Sequence, residues 1–329
     1  MPAVRGLTGP KRAPMTRANS KITEAKLLAN DLPIWRSLLF IPANVERFLA
    51  KAGQSGADAI ILDLEDSIAP SEKAAARAAL AHAVATVAAT GLDVVVRINR
   101  PWRLTIRDLE AAALADVAAI ALPKVADAGH IGAVSEVLDE LESERGIAAG
   151  RIRLIAMIET AAAYFHMPAI AKASPRVMAM TLGSEDFALD MGMPAEADGL
   201  EQATRQTVLA ARAAGIMPLG FVGSLADYRD LAGFEAMARR GRALGFEGAF
   251  CIHPAQVDIL NRAYGPTEAE IDHARRVIET FEQALAKGQG AVGLDGVMLD
   301  GPVVERARRL LGRHDAIAKR TANKSPSNG

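Results

Sequence analysis

From Arg36 onward, short apolar runs alternate with longer alanine-rich stretches, and this alternation predicts a repeated strand–helix unit. Most of the short runs are apolar at consecutive positions, which is typical of parallel strands covered on both faces. We predict eight strands, at residues 37–41, 57–62, 92–96, 117–122, 152–158, 177–182, 216–219 and 248–252.

The stretches between these runs read as helices, for example at residues 71–89 and 200–214. Pro70 precedes the first and Gly215 ends the second, in keeping with common helix start and stop signals. Eight strands with intervening helices predict the α/β class and a TIM-type (β/α)₈ barrel. A doubly wound open sheet is the alternative, but the segment FIPANVERF after the first strand is not the glycine-rich phosphate loop that such sheets usually carry.

Beyond residue 265 the pattern changes. Thr267 and Glu270 have the spacing of a capping box, and the helix that they open runs to about Lys287. Two short apolar runs then flank an Asp-Gly pair, which predicts a hairpin. Asp300 precedes a last predicted helix at residues 303–311. We predict that this helix–hairpin–helix extension acts as a lid on the barrel.

These patterns divide the chain into four parts. We predict a disordered N-terminal tail at residues 1–33, a catalytic barrel at 34–265, a C-terminal lid and oligomerisation extension at 266–315, and a disordered tail at 316–329. Because prolines interrupt the first segment, we expect a disordered tail there and not the amphipathic helix of an organelle transit peptide. Met15 is an alternative start to Met1.

Composition narrows the class of protein. The 329 residues carry a net charge of −1, so no general attraction to nucleic acid or to an acidic membrane is expected. No apolar run reaches the roughly 18–20 residues that a membrane helix needs. The single cysteine, Cys251, excludes an intrachain disulfide and a cysteine-rich zinc site. We predict a cytoplasmic enzyme with neither a nucleic-acid nor a membrane partner.

Polar residues follow the predicted strands at the end where the catalytic groups of such barrels gather. Arg97, Glu159 and Asp186 come after the third, fifth and sixth strands. Two carboxylates near a guanidinium suit a Mg²⁺ ion that chelates a small oxo- or hydroxy-acid. Possible supporting residues on the same rim are Asp63, Glu65, Asp66, Lys124 and His253.

Each of these residues also has a structural interpretation. Glu159 and Asp186 can cap the helices that follow them. Arg97 can serve as an ion-pair partner for the acidic residues after the second strand. Asp300, which precedes a Gly-Pro pair, has the sequence of a helix N-cap, and His253 reads more readily as a structural histidine than as a base.

Eight segments, taken in order, resemble the HpcH/HpaI aldolase/citrate lyase family, and within it the citrate lyase beta subunit and malyl-CoA lyase. The segments are RSLLFIPANVERF, ADAIILDLEDSIAPSEKAAAR, VVVRIN, LPK, IAMIETA, LGSEDFALDMG, CIHPAQ and VMLDGPVVERARRLL. They extend from Arg36 to Leu311, and although no single segment suffices, eight in order are specific. The resemblance implies a TIM barrel with a C-terminal extension, assembled as a homotrimer or hexamer.

The resemblance also implies roles for particular residues. Glu159 and Asp186 match metal ligands for Mg²⁺, with Mn²⁺ as a substitute, and Glu159 also lies against the substrate. Arg97 matches the catalytic residue that grips the substrate oxygens. Asp300 matches a lid aspartate that enters the active site of a neighbouring subunit. Phe40 and Arg47 match positions that line the coenzyme A site, where relatives can carry Tyr and Lys.

The implied reaction is a Mg²⁺-dependent cleavage or formation of a 3-hydroxyacyl-CoA. Malyl-CoA, methylmalyl-CoA and citramalyl-CoA are the candidate substrates, and they yield an acyl-CoA with glyoxylate or pyruvate. One alternative is a citrate lyase beta subunit that acts on a citryl group held by an acyl carrier protein. A synthase, a thioester hydrolase and a non-catalytic scaffold or regulatory subunit are the others, and the clustered charges argue against the scaffold.

Overall fold

The computed structural model describes residues 32–224 and 229–324. Each predicted strand is present in it, with bounds that differ by at most two residues at either end. The strands are β1 (Ser37–Pro42), β2 (Ala59–Asp63), β3 (Asp93–Arg97), β4 (Val117–Leu122), β5 (Arg153–Ile158), β6 (Val177–Leu182), β7 (Met217–Leu219) and β8 (Ala249–Cys251). The predicted N-terminal tail lies outside the described residues up to position 31.

The eight strands form one parallel barrel. Their order is β7-β6-β5-β4-β3-β2-β1-β8, and every neighbouring pair is parallel. A bridge between Leu219 and Gly248 joins the two ends of this order, and the Gly220 N–H donates to the Gly248 carbonyl at 2.8 Å. An open doubly wound sheet would leave two unpaired edges, so the prediction of a TIM-type barrel is confirmed.

Helices cover the outside of the barrel. They are α1 (Glu46–Leu49), α2 (Lys73–Ala88), α3 (Trp102–Ala112), α4 (Ala128–Glu144), α5 (Ala161–Ile170), α6 (Ser184–Asp190), α7 (Ala197–Ala214), α8 (Leu231–Leu244) and α9 (Pro254–Ala263). Gly215 ends α7 in a left-handed conformation with φ of 74°, as its predicted role as a stop requires. None of the helices in the described part of the chain is long and apolar enough to cross a membrane.

The barrel interior is filled by side chains that point inward from alternate strand positions. Small residues from one side meet larger ones from the other, and the set includes Leu38, Ala59, Ile61, Val95, Ala119, Ala121, Ile155, Met157, Ala179, Met217 and Phe250. The interior is therefore a packed core, and the candidate catalytic side chains lie at the C-terminal ends of the strands.

The C-terminal extension has the predicted elements. Helix α10 (Glu268–Ala286) begins at the capping box, in which the Glu270 N–H donates to the Thr267 hydroxyl and the Thr267 N–H donates to the Glu270 carboxylate. Strands β9 (Val292–Leu294) and β10 (Val297–Leu299) pair as an antiparallel hairpin. Helix α11 (Gly301–Lys324) follows.

Two predictions about α11 were wrong. The helix does not end at residue 311, and residues 316–324 belong to it, not to a disordered tail. Contacts with the barrel support the longer helix beyond Gly312. Arg313 donates to the Glu247 carbonyl at 2.5 Å, and Arg320 donates to the Asp93 carboxylate at 2.8 Å. Residues 325–329 lie outside the described residues.

These contacts also locate α11. Glu247 precedes β8 and Asp93 begins β3, so both mark the N-terminal ends of strands. Arg320 also donates to the carbonyl of Asp58, which precedes β2. The C-terminal half of α11 therefore lies against the end of the barrel opposite the one where the catalytic groups were predicted.

A buried ion pair away from the cavity gives a test of stability. The Arg176 guanidinium is bonded to the Glu142 carboxylate at 3.0 Å and to the Ile152 carbonyl at 2.7 Å, and both charged side chains are buried. Arg176→Met would leave the Glu142 carboxylate buried without its cation. We expect it to lower the free energy of unfolding by about 3–5 kcal/mol in urea denaturation.

The matched control is Arg205→Met, which breaks an exposed pair with Glu201 on α7. Its expected loss is below about 1 kcal/mol, because an exposed pair is screened by water. Equal losses for the two variants would contradict the importance of the buried pair.

Candidate active site

A cavity of about 1050 Å³ opens at the C-terminal ends of the strands. It runs from the interior of the barrel toward the segment after β1, where Arg47, Lys51 and Ser55 line it. The predicted residues that line it are Phe40, Arg47, Asp63, Asp66, Arg97, Glu159, Asp186 and His253. The barrel therefore brings together residues that are far apart in sequence.

Arg97 is held by a two-bond ion pair. Its Nε and Nη2 atoms donate to the two oxygens of Asp63, each at 2.7 Å, and the Asp63 side chain is almost fully buried. Burial opposes ionisation of Asp63, but the bonds and charge of Arg97 outweigh it and lower the pKa of this carboxyl. The remaining nitrogen, Nη1, lies 3.0 Å from Glu65 and 3.3 Å from Asp66. Arg97 therefore forms an ion pair with the acidic residues after β2 and also lines the cavity.

Glu159 is almost fully buried, with a residue exposure of 2%. It follows β5, and one of its oxygens accepts a hydrogen bond of 2.6 Å from the Lys124 backbone N–H. Gly183 packs against it so closely that a Cβ there would lie 2.4 Å from the Glu159 Cγ. Burial, together with the negative charges of Glu65 and Asp186, raises the pKa of Glu159 to about 8.

Lys124 connects the carboxylates. Its Nζ atom lies 2.9 Å from Glu65 and 3.5 Å from Asp186. Burial lowers the pKa of this amine, but the bond to Glu65 and the neighbouring charges outweigh that effect and raise it, so the amine stays protonated. The pKa of Glu65 is itself raised, because burial outweighs the attraction of Arg97 and Lys124.

Asp186 lies in the first turn of α6, directly after β6. A carboxylate there is favoured by the positive end of the helix dipole. Its side chain is about one-third exposed and faces the same cavity as Glu159. The structure therefore gives Asp186 both the position of a helix-terminal charge and access to a ligand.

Phe40, which was predicted to line a coenzyme A site, packs against Arg97 and Phe250. Its ring centroid is 4.6 Å from the Arg97 guanidinium carbon, and its edge contacts the Phe250 ring at 5.4 Å between centroids. Phe40 therefore supports one face of Arg97 as well as lining the cavity. Arg47 lies near the cavity mouth, over the ring of Phe48.

His253 and Asp300 both cap helices. The His253 imidazole accepts a hydrogen bond from the Ala255 N–H at the start of α9, and the same side chain lines the cavity. Asp300 accepts one from the Val303 N–H at 3.3 Å, at the start of α11. None of the described residues that line the cavity comes from the extension, so Asp300 does not reach the cavity of its own chain.

Several residues that line or support the cavity were not predicted from the sequence. Met157, Thr181 and Phe250 line the inner part of the cavity, and their inward alternation along β5, β6 and β8 was the available signal. Lys73 donates to the Leu64 and Glu65 carbonyls at 3.0 and 2.5 Å and so fixes the loop after β2. No local sequence signal distinguished this lysine from other helix-surface lysines.

The sequence of this chain matches a known protein family. The family model for HpcH/HpaI aldolase/citrate lyase matches residues 36–254, well over half of the chain. The chain belongs to this family. The family resemblance is therefore confirmed, and the prediction of a carbon–carbon lyase is confirmed with it.

Relatives carry names from both branches of the family. The chain is 35% identical to the citrate lyase subunit beta of Leuconostoc mesenteroides subsp. cremoris over 86% of this chain and 94% of that protein. It is 37% identical to a (3S)-malyl-CoA thioesterase of Cereibacter sphaeroides over 88% and 98%, respectively. The fold matches the CitE protein of Mycobacterium tuberculosis, solved with magnesium, acetoacetate and coenzyme A, with a TM-score of 0.68 and 32% identity over 85% of this chain and 97% of that one.

Proposed function

We propose that this chain is a Mg²⁺-dependent carbon–carbon lyase that cleaves or forms a 3-hydroxyacyl-CoA. The observation that carries the proposal is the convergence of Glu159, Asp186 and Arg97 on one cavity at the catalytic end of the barrel. The candidate substrates are malyl-CoA, methylmalyl-CoA and citramalyl-CoA. Their candidate products are acetyl-CoA or propionyl-CoA with glyoxylate or pyruvate.

The residues present fit a Mg²⁺ ion. Glu159 and Asp186 offer two hard oxygen ligands to the cavity. In the described part of the chain, no group of three or more His, Cys, Asp and Glu residues is placed to hold a metal. Mg²⁺ usually takes one or two carboxylates and keeps its other positions for water and substrate. Burial, together with the charges of Glu65 and Asp186, disfavours the ionised form of Glu159 and raises its pKa, and a divalent cation would offset both effects.

When bound there, Mg²⁺ would polarise the oxygen of the emerging keto group and lower the pKa of the substrate hydroxyl. Arg97 adds a permanent positive charge to the same cavity, and its bonds to Asp63 fix the plane of the guanidinium. Because this cation is oriented before substrate binds, it stabilises developing negative charge without reorganisation.

Cleavage releases the hydroxyl proton to solvent water and leaves an enolate on the thioester fragment, which needs a proton on carbon. We assign that proton to Asp300 of a neighbouring subunit, since Asp300 lies away from its own cavity. In the condensing direction the same carboxylate would remove the proton. A positioned acid–base group contributes about 10²–10⁴-fold to the rate. This assignment requires an oligomer, for which we propose a homotrimer or a hexamer.

The outer part of the cavity suits the thioester carrier. Arg47 and Lys51 are four positions apart on its edge and supply positive charge for phosphate groups. Phe40 lacks the hydroxyl of a tyrosine, so the carrier is held there without a phenolic hydrogen bond. A citryl group on an acyl carrier protein is the second candidate, favoured by the relatives named citrate lyase subunit beta.

A product assay tests the proposal. We expect purified protein with Mg²⁺ to form a hydroxyacyl-CoA from acetyl-CoA or propionyl-CoA with glyoxylate or pyruvate, as measured by mass spectrometry. An EDTA-treated sample is the control and should form none. Release of free coenzyme A together with the hydroxy-acid would identify a thioester hydrolase. No adduct with any pair, combined with cleavage of a carrier-linked citryl group, would favour the second candidate.

A further inference from the structure

The backbone of Lys124 has an unusual conformation. Its φ is 48°, and Lys124 and Asp295 are the non-glycine residues with positive φ in the described part of the chain. This left-handed region is disfavoured for a residue with a Cβ, because the Cβ approaches the following carbonyl oxygen. Such a conformation persists only where surrounding contacts hold it.

Contacts hold both sides of this residue. The Lys124 N–H donates to the Glu159 carboxylate at 2.6 Å, and the Lys124 carbonyl accepts from the Arg100 Nε at 3.1 Å. The two peptide planes that flank Lys124 are therefore tied to different partners. Arg100 and a 3.3 Å bond from the Val125 N–H to the Met157 carbonyl hold the plane that follows Lys124, and the left-handed conformation then directs the preceding N–H at Glu159.

Arg100 is itself placed by two aromatic side chains. Its guanidinium carbon lies 5.5 Å from the centre of the Trp102 ring, and that ring meets the His130 imidazole edge-on at 5.0 Å. The buried His130 in turn accepts a hydrogen bond from the Ala126 N–H at 3.2 Å. Arg100, Trp102 and His130, here called the Arg100 stack, thus hold the 124–126 segment at two points.

We propose that Arg100 is a positioning residue for Glu159 and acts through the Lys124 peptide. Glu159 is confined between the Lys124 N–H on one side and Gly183 on the other. Without Arg100, the peptide after Lys124 keeps only the bond from the Val125 N–H to the Met157 carbonyl, so the left-handed conformation loses one of its supports and the Lys124 N–H can turn away from the carboxylate. The inference rests on the proposed role of Glu159 as a Mg²⁺ ligand, and it predicts weaker Mg²⁺ binding when Arg100 is replaced.

The direction of the change in Mg²⁺ affinity distinguishes a positioning role of Arg100 from a direct effect of its charge. Removing a positive charge near a cation site reduces Coulomb repulsion, and that effect alone would leave Mg²⁺ binding equal or tighter. Loss of a residue that orients a metal ligand weakens it instead, typically by about 10–100-fold. A weaker affinity in the Arg100 variant therefore has the sign that only positioning gives.

The experiment is isothermal titration of the full chain with Mg²⁺, repeated with Mn²⁺ by electron paramagnetic resonance. Arg100→Gln is expected to bind either ion roughly 10-fold more weakly than the parent. Arg100→Lys, which keeps a charged donor, should recover part of that loss. Arg103→Gln is the matched control, at the start of the helix that follows Arg100, since Arg103 is exposed and makes no hydrogen bond or ion pair with the described residues; it should bind within about twofold of the parent.

Trp102→Leu gives a second variant that keeps Arg100 and removes the ring beside it, and we expect a smaller weakening in the same direction. Affinity that is unchanged or tighter in Arg100→Gln would overturn the positioning role while leaving the metal site intact, provided that Glu159→Gln abolishes binding. If the parent binds no Mg²⁺, or Glu159→Gln binds it as the parent does, the proposed metal site itself is wrong and the positioning role fails with it.

Discussion

Glu159→Gln is expected to remove Mg²⁺ binding and to lower turnover by about 10³-fold, because the ion's Lewis-acid contribution of several kcal/mol is lost. The substitution keeps the shape of the side chain and its ability to accept the Lys124 N–H, so it changes charge and little else. Titration calorimetry for Mg²⁺ and the product assay measure the two effects separately.

In the absence of metal, we expect Glu159→Gln to be at least as stable as the parent protein. The pKa of Glu159 is raised to about 8 in the folded chain, above the usual 4.5 for a glutamate. An ionised Glu159 therefore costs folding free energy, and this cost grows as the pH rises from about 4.5 to 8. In EDTA at pH 8, Glu159→Gln is expected to unfold at a temperature equal to or above that of the parent.

Glu136→Gln is the matched control, because Glu136 is exposed on α4 and does not line the cavity. It should retain parental Mg²⁺ affinity, turnover and stability. Parental Mg²⁺ affinity in the Glu159 variant would show that the metal site is wrong. Lost affinity together with a large drop in unfolding temperature in EDTA would instead point to a structural role for the charge.

The barrel was predictable because each strand is a continuous apolar run bounded by turn residues. Once the runs are placed in a barrel, geometry brings their C-terminal ends together, and the grouping of Arg97, Glu159 and Asp186 follows without knowledge of any contact. The hydrogen bonds and ion pairs around this group could not be predicted from the sequence. The reach of Lys124 to Glu65 and Asp186 depends on a left-handed backbone that no local pattern indicates.

Long-range contacts also explain two features that the sequence did not predict. The last helix was predicted to end at residue 311, yet α11 continues because Arg313 and Arg320 bind groups at the N-terminal end of the barrel. Phe40 was assigned to the coenzyme A site by its match to a motif. Its second contact, the face of Arg97, depends on the inward direction of β1 and on the neighbouring Phe250.

The position of α11 changes how the extension can act as a lid. Its C-terminal half is bound to the N-terminal end of the barrel, whereas the cavity opens at the other end. Asp300 begins the same helix and caps it through the Val303 N–H. Within one chain, Asp300 is therefore a helix cap. A catalytic role requires the cavity of another subunit, and heterologous contacts that close into a ring provide such an arrangement.

Mixed oligomers test that arrangement directly. Glu159→Gln and Asp300→Asn should each be inactive alone, while Asp300→Asn should retain parental Mg²⁺ affinity. When the two variants are coexpressed with different tags and purified as hetero-oligomers, a site works only if its own chain carries Glu159 and its neighbour donates Asp300. Random assembly of equal amounts places that pair at roughly one quarter of the sites of a closed ring. We expect about that fraction of parental turnover. Verified hetero-oligomers without recovered activity would contradict donation between subunits, and parental turnover in Asp300→Asn alone would restrict Asp300 to capping α11.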